Sequence, residues 1–129
     1  MLAVDTNVVV RLLTGDDPRQ GRRAVELFRR EQVFLPKTVL LETEWVLRSL
    51  YGFAPTAIFD ALEALIALPN VTCESLGAIA QSIGWARKGL DLADALHVAS
   101  SAAAEGFATF DDKLIRRAGP LAPLALVKP

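Results

Sequence analysis

Apolar residues along this chain come in two rhythms. Leu2-Ala3-Val4, Val33-Phe34-Leu35, Val71-Thr72-Cys73, Phe107-Ala108-Thr109-Phe110 and Leu124-Ala125-Leu126-Val127 are short runs of the length and composition of buried strands. Between them, apolar positions recur every three or four residues, the spacing of amphipathic helices. A short helix is expected through Leu13, before Gly15. Asp17-Pro18-Arg19-Gln20 reads as a helix start: Asp17 caps, Pro18 suits the first helical position and Gln20 completes a capping box. Val25, Leu27 and Phe28 carry that helix to about Arg30. Thr38 is expected to cap a helix reaching Tyr51 and closed by Gly52. Further helices are predicted from Pro55 to Leu68, Leu76 to Arg87, Leu92 to Glu105 behind Asp91, and Asp112 to Arg117. Short strands alternating with helices predict an α/β fold with a mostly parallel sheet covered on both faces. In such sheets the ligand site lies beyond the carboxyl ends of the strands, where Asp5 and Asp111 stand.

Composition narrows the class. The 129 residues fit one domain, and 52% hydrophobic with 22% charged residues excludes disorder driven by charge. Charges interrupt every apolar stretch, so no membrane span is expected, and Met1 to Asp5 does not open a signal peptide. One cysteine, Cys73, and one histidine cannot build a structural zinc site, and the lone thiol has no intrachain disulfide partner. These features predict a cytoplasmic protein. The net charge of −1 offers no global field for a polyanion, but Arg22-Arg23, Arg29-Arg30, Arg87-Lys88 and Arg116-Arg117 are local basic pairs.

The acidic residues change the picture most. On the helix near Thr38, Val39, Glu42, Trp45 and Val46 share a face. That spacing places Glu42 inward, inside an apolar stripe, and sends Glu44 outward to pair with Arg48 four residues on. Asp91 suits a helix cap, whereas Asp94, on one face with His97, Val98 and Ser101, is equally readable as an answer to the helix dipole. Of the doublet Asp111-Asp112, Asp111 leaves the strand directly, with Asp112 as the alternative fourth acid. Four inward acids without a histidine or cysteine cluster form an all-oxygen ligand set, which suits Mg²⁺ or Mn²⁺.

Val4-Asp5-Thr6-Asn7, Leu41-Glu42 leading to Trp45-Val46-Leu47, Asp91-Leu92-Ala93-Asp94-Ala95-Leu96-His97 and Ala108-Thr109-Phe110-Asp111 together resemble the PIN domain. More narrowly they resemble the VapC toxins of bacterial type II toxin–antitoxin pairs, and the likeness runs through nearly the whole chain. It implies a three-layer α/β/α sandwich forming a single domain over residues 1–129. It also implies a metal-dependent endoribonuclease cutting tRNA or rRNA, in which Asp5, Glu42, Asp94 and Asp111 hold Mg²⁺ or Mn²⁺. Thr6 or Asn7 would orient Asp5, Thr109 would support the site, and the partners would be RNA, a VapB-like antitoxin and a second copy of the chain.

Other residues read more plainly. His97 takes at most a supporting place beside the acids, and Asp91 is first a cap. Arg11 and Arg48 are candidate phosphate contacts, with surface ion pairs as the ordinary alternative. Trp45, Leu47, Tyr51 and Phe53 suit either the core or an antitoxin groove, and Trp85 and Cys73 suit packing. Two other functions fit part of the pattern. An aspartyl-phosphate phosphatase would want an aspartate where Asn7 stands, and a non-catalytic PIN-like module would have no need of all four acids.

Overall fold

Every strand pair in the protein is parallel. The computed structural model describes residues 1–129, which divide into two compact units, 1–76 and 77–129. In the first, β1 (Leu2–Ala3) pairs with β2 (Val33–Leu35), and β2 with β3 (Val71–Cys73), in the order β1-β2-β3. Leu2 stands opposite Val33, and Val33 opposite Val71. Parallel neighbours need crossovers. Helices α1 (Thr6–Thr14) and α2 (Pro18–Arg30) supply the first, and α3 (Lys37–Ser49) and α4 (Pro55–Ile66) the second. The second unit holds α5 (Leu76–Arg87) from its second residue onward, α6 (Leu92–Ala99), β4 (Gly106–Ala108), α7 (Asp112–Ala118) and β5 (Ala125–Val127). There β4 and β5 form a two-stranded parallel sheet. The α/β class with parallel strands is therefore as the alternation predicts.

In the first unit, central β2 buries Val33 and Leu35 completely, and Leu40, Leu47, Ile58, Leu62 and Leu65 on α3 and α4 are buried as well. Asp17 caps α2, its carboxylate accepting from the Gln20 amide at 2.9 Å, with Pro18 in the first turn. The expected capping box is only half made. The Gln20 side chain turns instead to α1 and accepts from Arg11 Nε at 2.8 Å. Gly21 lies where α2 passes the end of α1; a Cβ there would stand in ordinary contact, 3.4 Å from the Gly15 Cα. Thr38 does not cap α3. The helix starts two residues earlier, at Lys37 directly behind Pro36, and the amide of Lys37 donates to Glu74 Oε1 at 3.0 Å. That bond from beyond β3 satisfies a first-turn donor that a capping side chain would otherwise take.

The second unit packs Trp85, Leu90, Ala95, Val98, Leu114 and Ala118 together, with Phe107 and Leu126 from its sheet against them. Asp91 caps α6 as expected. The helix ends at Ala99 rather than Glu105 because its last turn tightens. Ser101 donates its amide to Val98 at 3.0 Å and its hydroxyl to the His97 carbonyl at 2.7 Å, and Ala104 donates back to Ser101 at 2.9 Å. Such three-residue steps and side-chain bonds compete with the helical ladder. Strand β4 begins at Gly106, one residue before the apolar run, where a Cβ would meet the Ala125 carbonyl oxygen at 3.1 Å.

Candidate acidic site

Three of the candidate aspartates hold helix starts. Asp5 follows β1 and caps α1, its carboxylate accepting from the Thr6 amide at 2.8 Å. Asp91 caps α6 by accepting from the Asp94 amide at 3.1 Å. Asp111 caps α7 by accepting from the Leu114 amide at 3.1 Å. A short polar side chain at such a position fixes one carboxylate oxygen and leaves the other open. All three residues are exposed.

In the first unit, Thr6 orients Asp5 through its backbone amide. Its hydroxyl is buried, with the residue 5% exposed, and has no hydrogen-bond partner. Asn7 is exposed on the same turn. The expectation for α3 needs correction. The helix buries Leu40, Thr43, Glu44 and Leu47, so Glu44 is inward at 6% exposure, while Glu42 is exposed and Trp45 is 50% exposed. Two stripes at spacings of three, four and seven compete on this helix, and polar residues disguised the buried one. Thr43 hides its hydroxyl by donating to the Val39 carbonyl at 2.7 Å. Glu44 accepts from Arg48 Nε at 2.8 Å, the i,i+4 pair the spacing predicts, but with its carboxylate buried rather than at the surface. Arg48 is half-exposed within that pair.

Arg11 belongs to a network that sequence reading missed. Its Nη1 reaches Asp16 at 3.1 Å and Tyr51 at 3.2 Å, and the Tyr51 hydroxyl donates to the other Asp16 oxygen at 2.6 Å. The Tyr51 bond, then Asp16, raises the Arg11 pKa. The Tyr51 and Thr14 hydroxyls lower that of Asp16. Tyr51 also stacks on Phe53, with ring centroids 5.8 Å apart. Glu74 was missed as well. Its position just after β3, like that of Asp5 after β1, was the available signal.

In the second unit, Asp94 is half-buried on the first turn of α6. Its carboxyl is held above the ordinary carboxylate range, chiefly by burial and then by the negative charges of Asp91 and Asp111, with His97 acting in the opposite sense. These three aspartates thus share one electrostatic environment. His97 is exposed, and its backbone carbonyl, not its ring, receives Ser101. Thr109 Oγ1 accepts from the Asp111 amide at 3.0 Å, which sets the turn between β4 and α7. Asp112 is exposed and paired with Lys128 at 3.0 Å. The doublet is therefore split: one acid caps, the other makes an ion pair. Cys73 is half-buried, and burial raises its thiol pKa, while Trp85 is core.

Neither unit brings three or more His, Cys, Asp or Glu side chains into an arrangement that holds a metal ion. Apart from His97, which acts on Asp94, the donors near one another are carboxylates, a set that favours a hard divalent cation over zinc. Burial is the larger cause of the raised Asp94 carboxyl; the smaller one, repulsion by Asp91 and Asp111, is what a bound cation would relieve. No helix is long and apolar enough to cross a membrane.

Comparison with known proteins adds a family. No curated protein matches the chain. Among solved structures, Mycobacterium tuberculosis VapC20, described as a sarcin–ricin loop-cleaving toxin, is similar at 22% identity. That similarity covers 88% of this chain and 92% of that one, with a TM-score of 0.46. The family model described as the PIN domain matches residues 2–120. With that match extending over nearly its whole length, the chain belongs to the PIN domain family.

Proposed function

We propose that this protein is a metal-dependent endoribonuclease, a single PIN domain acting as the toxin of a type II toxin–antitoxin pair. The observation that carries the reading is the raised carboxyl of Asp94 beside Asp91 and Asp111. An acid whose titration is shifted by burial and by neighbouring carboxylates marks a functional site more often than ordinary surface does. The four motifs that resemble VapC toxins supply the narrower assignment.

By the resemblance, Asp5, Glu42, Asp94 and Asp111 would hold the cation, with Asp112 as the alternative fourth acid. Mg²⁺ or Mn²⁺ would there supply water activation and charge compensation for the phosphodiester. The chain's own contribution is to place the carboxylates beforehand. The Thr6 amide fixes Asp5, the Leu114 amide fixes Asp111, and Thr109 holds the turn that delivers it. Glu42, whose inward placement the structure overturns, stays in the set on the resemblance alone. Hydrolysis leaves a 5′-phosphate and a 3′-hydroxyl. Resemblance to VapC adds tRNA or rRNA as substrate, a homodimer in the cytoplasm, and a VapB-like antitoxin whose C-terminal segment covers the acids.

The test is cleavage of a pooled tRNA and rRNA preparation with Mg²⁺, Mn²⁺ or chelator, beside Asp94→Asn. Discrete cuts that need both the metal and Asp94 support the reading. Cleavage that survives chelation, or that persists in Asp94→Asn, overturns it.

A further inference from the structure

A groove of about 470 Å³ opens between α1 and α2 within the first unit. Val8, Ala24 and Leu27 give it apolar walls, and Asn7, Arg11 and Arg23 give it polar ones. A volume of that order suits one small ligand or one unit of a longer chain. Asn7 carries the end of the groove to the helical turn that Asp5 caps.

The charges around it are unevenly spread. Helix α2 holds five of the chain's fourteen basic residues and only one of its fifteen acidic ones, in a protein of net charge −1. That one acid, Glu26, pairs with Arg29 and Arg30 at the far end of the helix. Arg19, Arg22 and Arg23, at the near end, are exposed, and none lies within ion-pair distance of a carboxylate. Arg19 also sits in the first turn, where the helix dipole disfavours a cation. Exposed guanidinium groups without a carboxylate partner leave a local positive field that attracts an anion. Arg11 is different. Gln20, Asp16 and Tyr51 hold its guanidinium, making it a fixed wall of the groove rather than a free hand.

We propose that this groove is a nucleotide subsite for the RNA strand. Arg23 takes a phosphate, and the Val8–Ala24–Leu27 surface takes the attached base. The assignment rests on the ribonuclease reading above. An aliphatic wall beside a cationic edge offers a base apolar contact and its phosphate an ion pair.

The test is fluorescence anisotropy with a labelled short single-stranded RNA, in chelator so that nothing is cut. Wild type, Arg23→Gln and Arg30→Gln are compared across a salt series. Arg23→Gln is expected to weaken binding about 5–10-fold near 100 mM salt and to flatten the log K against log salt slope by about 0.7, the loss of one phosphate contact. Arg30→Gln, already paired with Glu26, should stay within about twofold of wild type. An unchanged affinity and slope in Arg23→Gln overturns the subsite. So does Arg23-dependent binding of an oligoglutamate peptide by a protein whose RNA binding ignores Arg23. Arg23-dependent RNA binding without cleavage under either metal overturns the nuclease reading and keeps the subsite. Cleavage alongside Arg23-independent binding does the reverse.

Discussion

Glu42 and Glu44 lie two residues apart on α3, yet the structure gives them opposite places, and substituting each by glutamine separates stability from catalysis. Glu44 is 6% exposed and its carboxylate accepts from Arg48 Nε at 2.8 Å. A hydrogen bond to a charged partner contributes about 1.5–3 kcal/mol, and the half-exposure of Arg48 lowers that range. Glu44→Gln keeps an acceptor oxygen but loses the charge, so a cost of about 1–2 kcal/mol is expected. For a chain of this length each kcal/mol moves Tm by roughly 3–5 °C, which gives a drop of about 3–10 °C. Glu42 is exposed, and its substitution should cost less than about 0.5 kcal/mol. Activity should run the other way, with Glu42→Gln abolishing RNA cleavage and Glu44→Gln retaining it. The assay is thermal unfolding by circular dichroism, paired with cleavage measured well below either Tm. A Glu44→Gln protein melting within about 1 °C of wild type refutes the buried-pair argument. Full cleavage by folded Glu42→Gln removes Glu42 from the site.

Asp94→Asn should lose cleavage while melting at or above the wild-type temperature at pH 7. Burial and the neighbouring aspartates raise the Asp94 carboxyl above 3.8, so its ionised form opposes folding once pH exceeds the raised value. As pH falls towards 3.8 the opposition fades and the variant's advantage should disappear; a variant less stable at pH 7 contradicts this. Asp112→Asn removes only an exposed pair with Lys128, worth about 0–1 kcal/mol, and should cut RNA normally. Asp111→Asn keeps a capping side chain, stays folded and should be inactive. If cleavage assays give the reverse order, Asp112 is the fourth acid.

The parts of the fold that could be read from the sequence are those where one local signal dominates. Val33–Leu35, Val71–Cys73, Pro18–Arg30 and Leu76–Arg87 fall where apolar rhythm, proline and glycine punctuation agree. What could not be read depends on partners distant in the chain. Glu74 satisfies the start of α3 from 37 residues away, so Thr38 looked like the cap. Gln20 is drawn off by Arg11, so the capping box looked complete. The face of α3 was misread because Thr43 and Glu44 are polar by composition but hydrogen-bonded within their own helix, so they enter a buried stripe without an apolar signature. For the site, strand-end position and capping logic singled out Asp5, Asp91 and Asp111. The shared environment of Asp91, Asp94 and Asp111 needed the folded second unit.

The capping bonds of Asp5, Asp91 and Asp111 also limit how these positions can vary. A glutamate carries the same charge one methylene further out, past the backbone amides that now receive the aspartate oxygens at 2.8–3.1 Å. An exchange that looks mild by charge would therefore unseat a helix start, at a cost of about 1 kcal/mol, while also moving the carboxylate. Asparagine does the opposite, keeping the helix start and discarding the charge. Folded protein for trapping an uncut RNA is thus to be sought among asparagine changes at Asp5 and Asp111, and glutamate at these positions should give a displaced carboxylate in a slightly less stable chain.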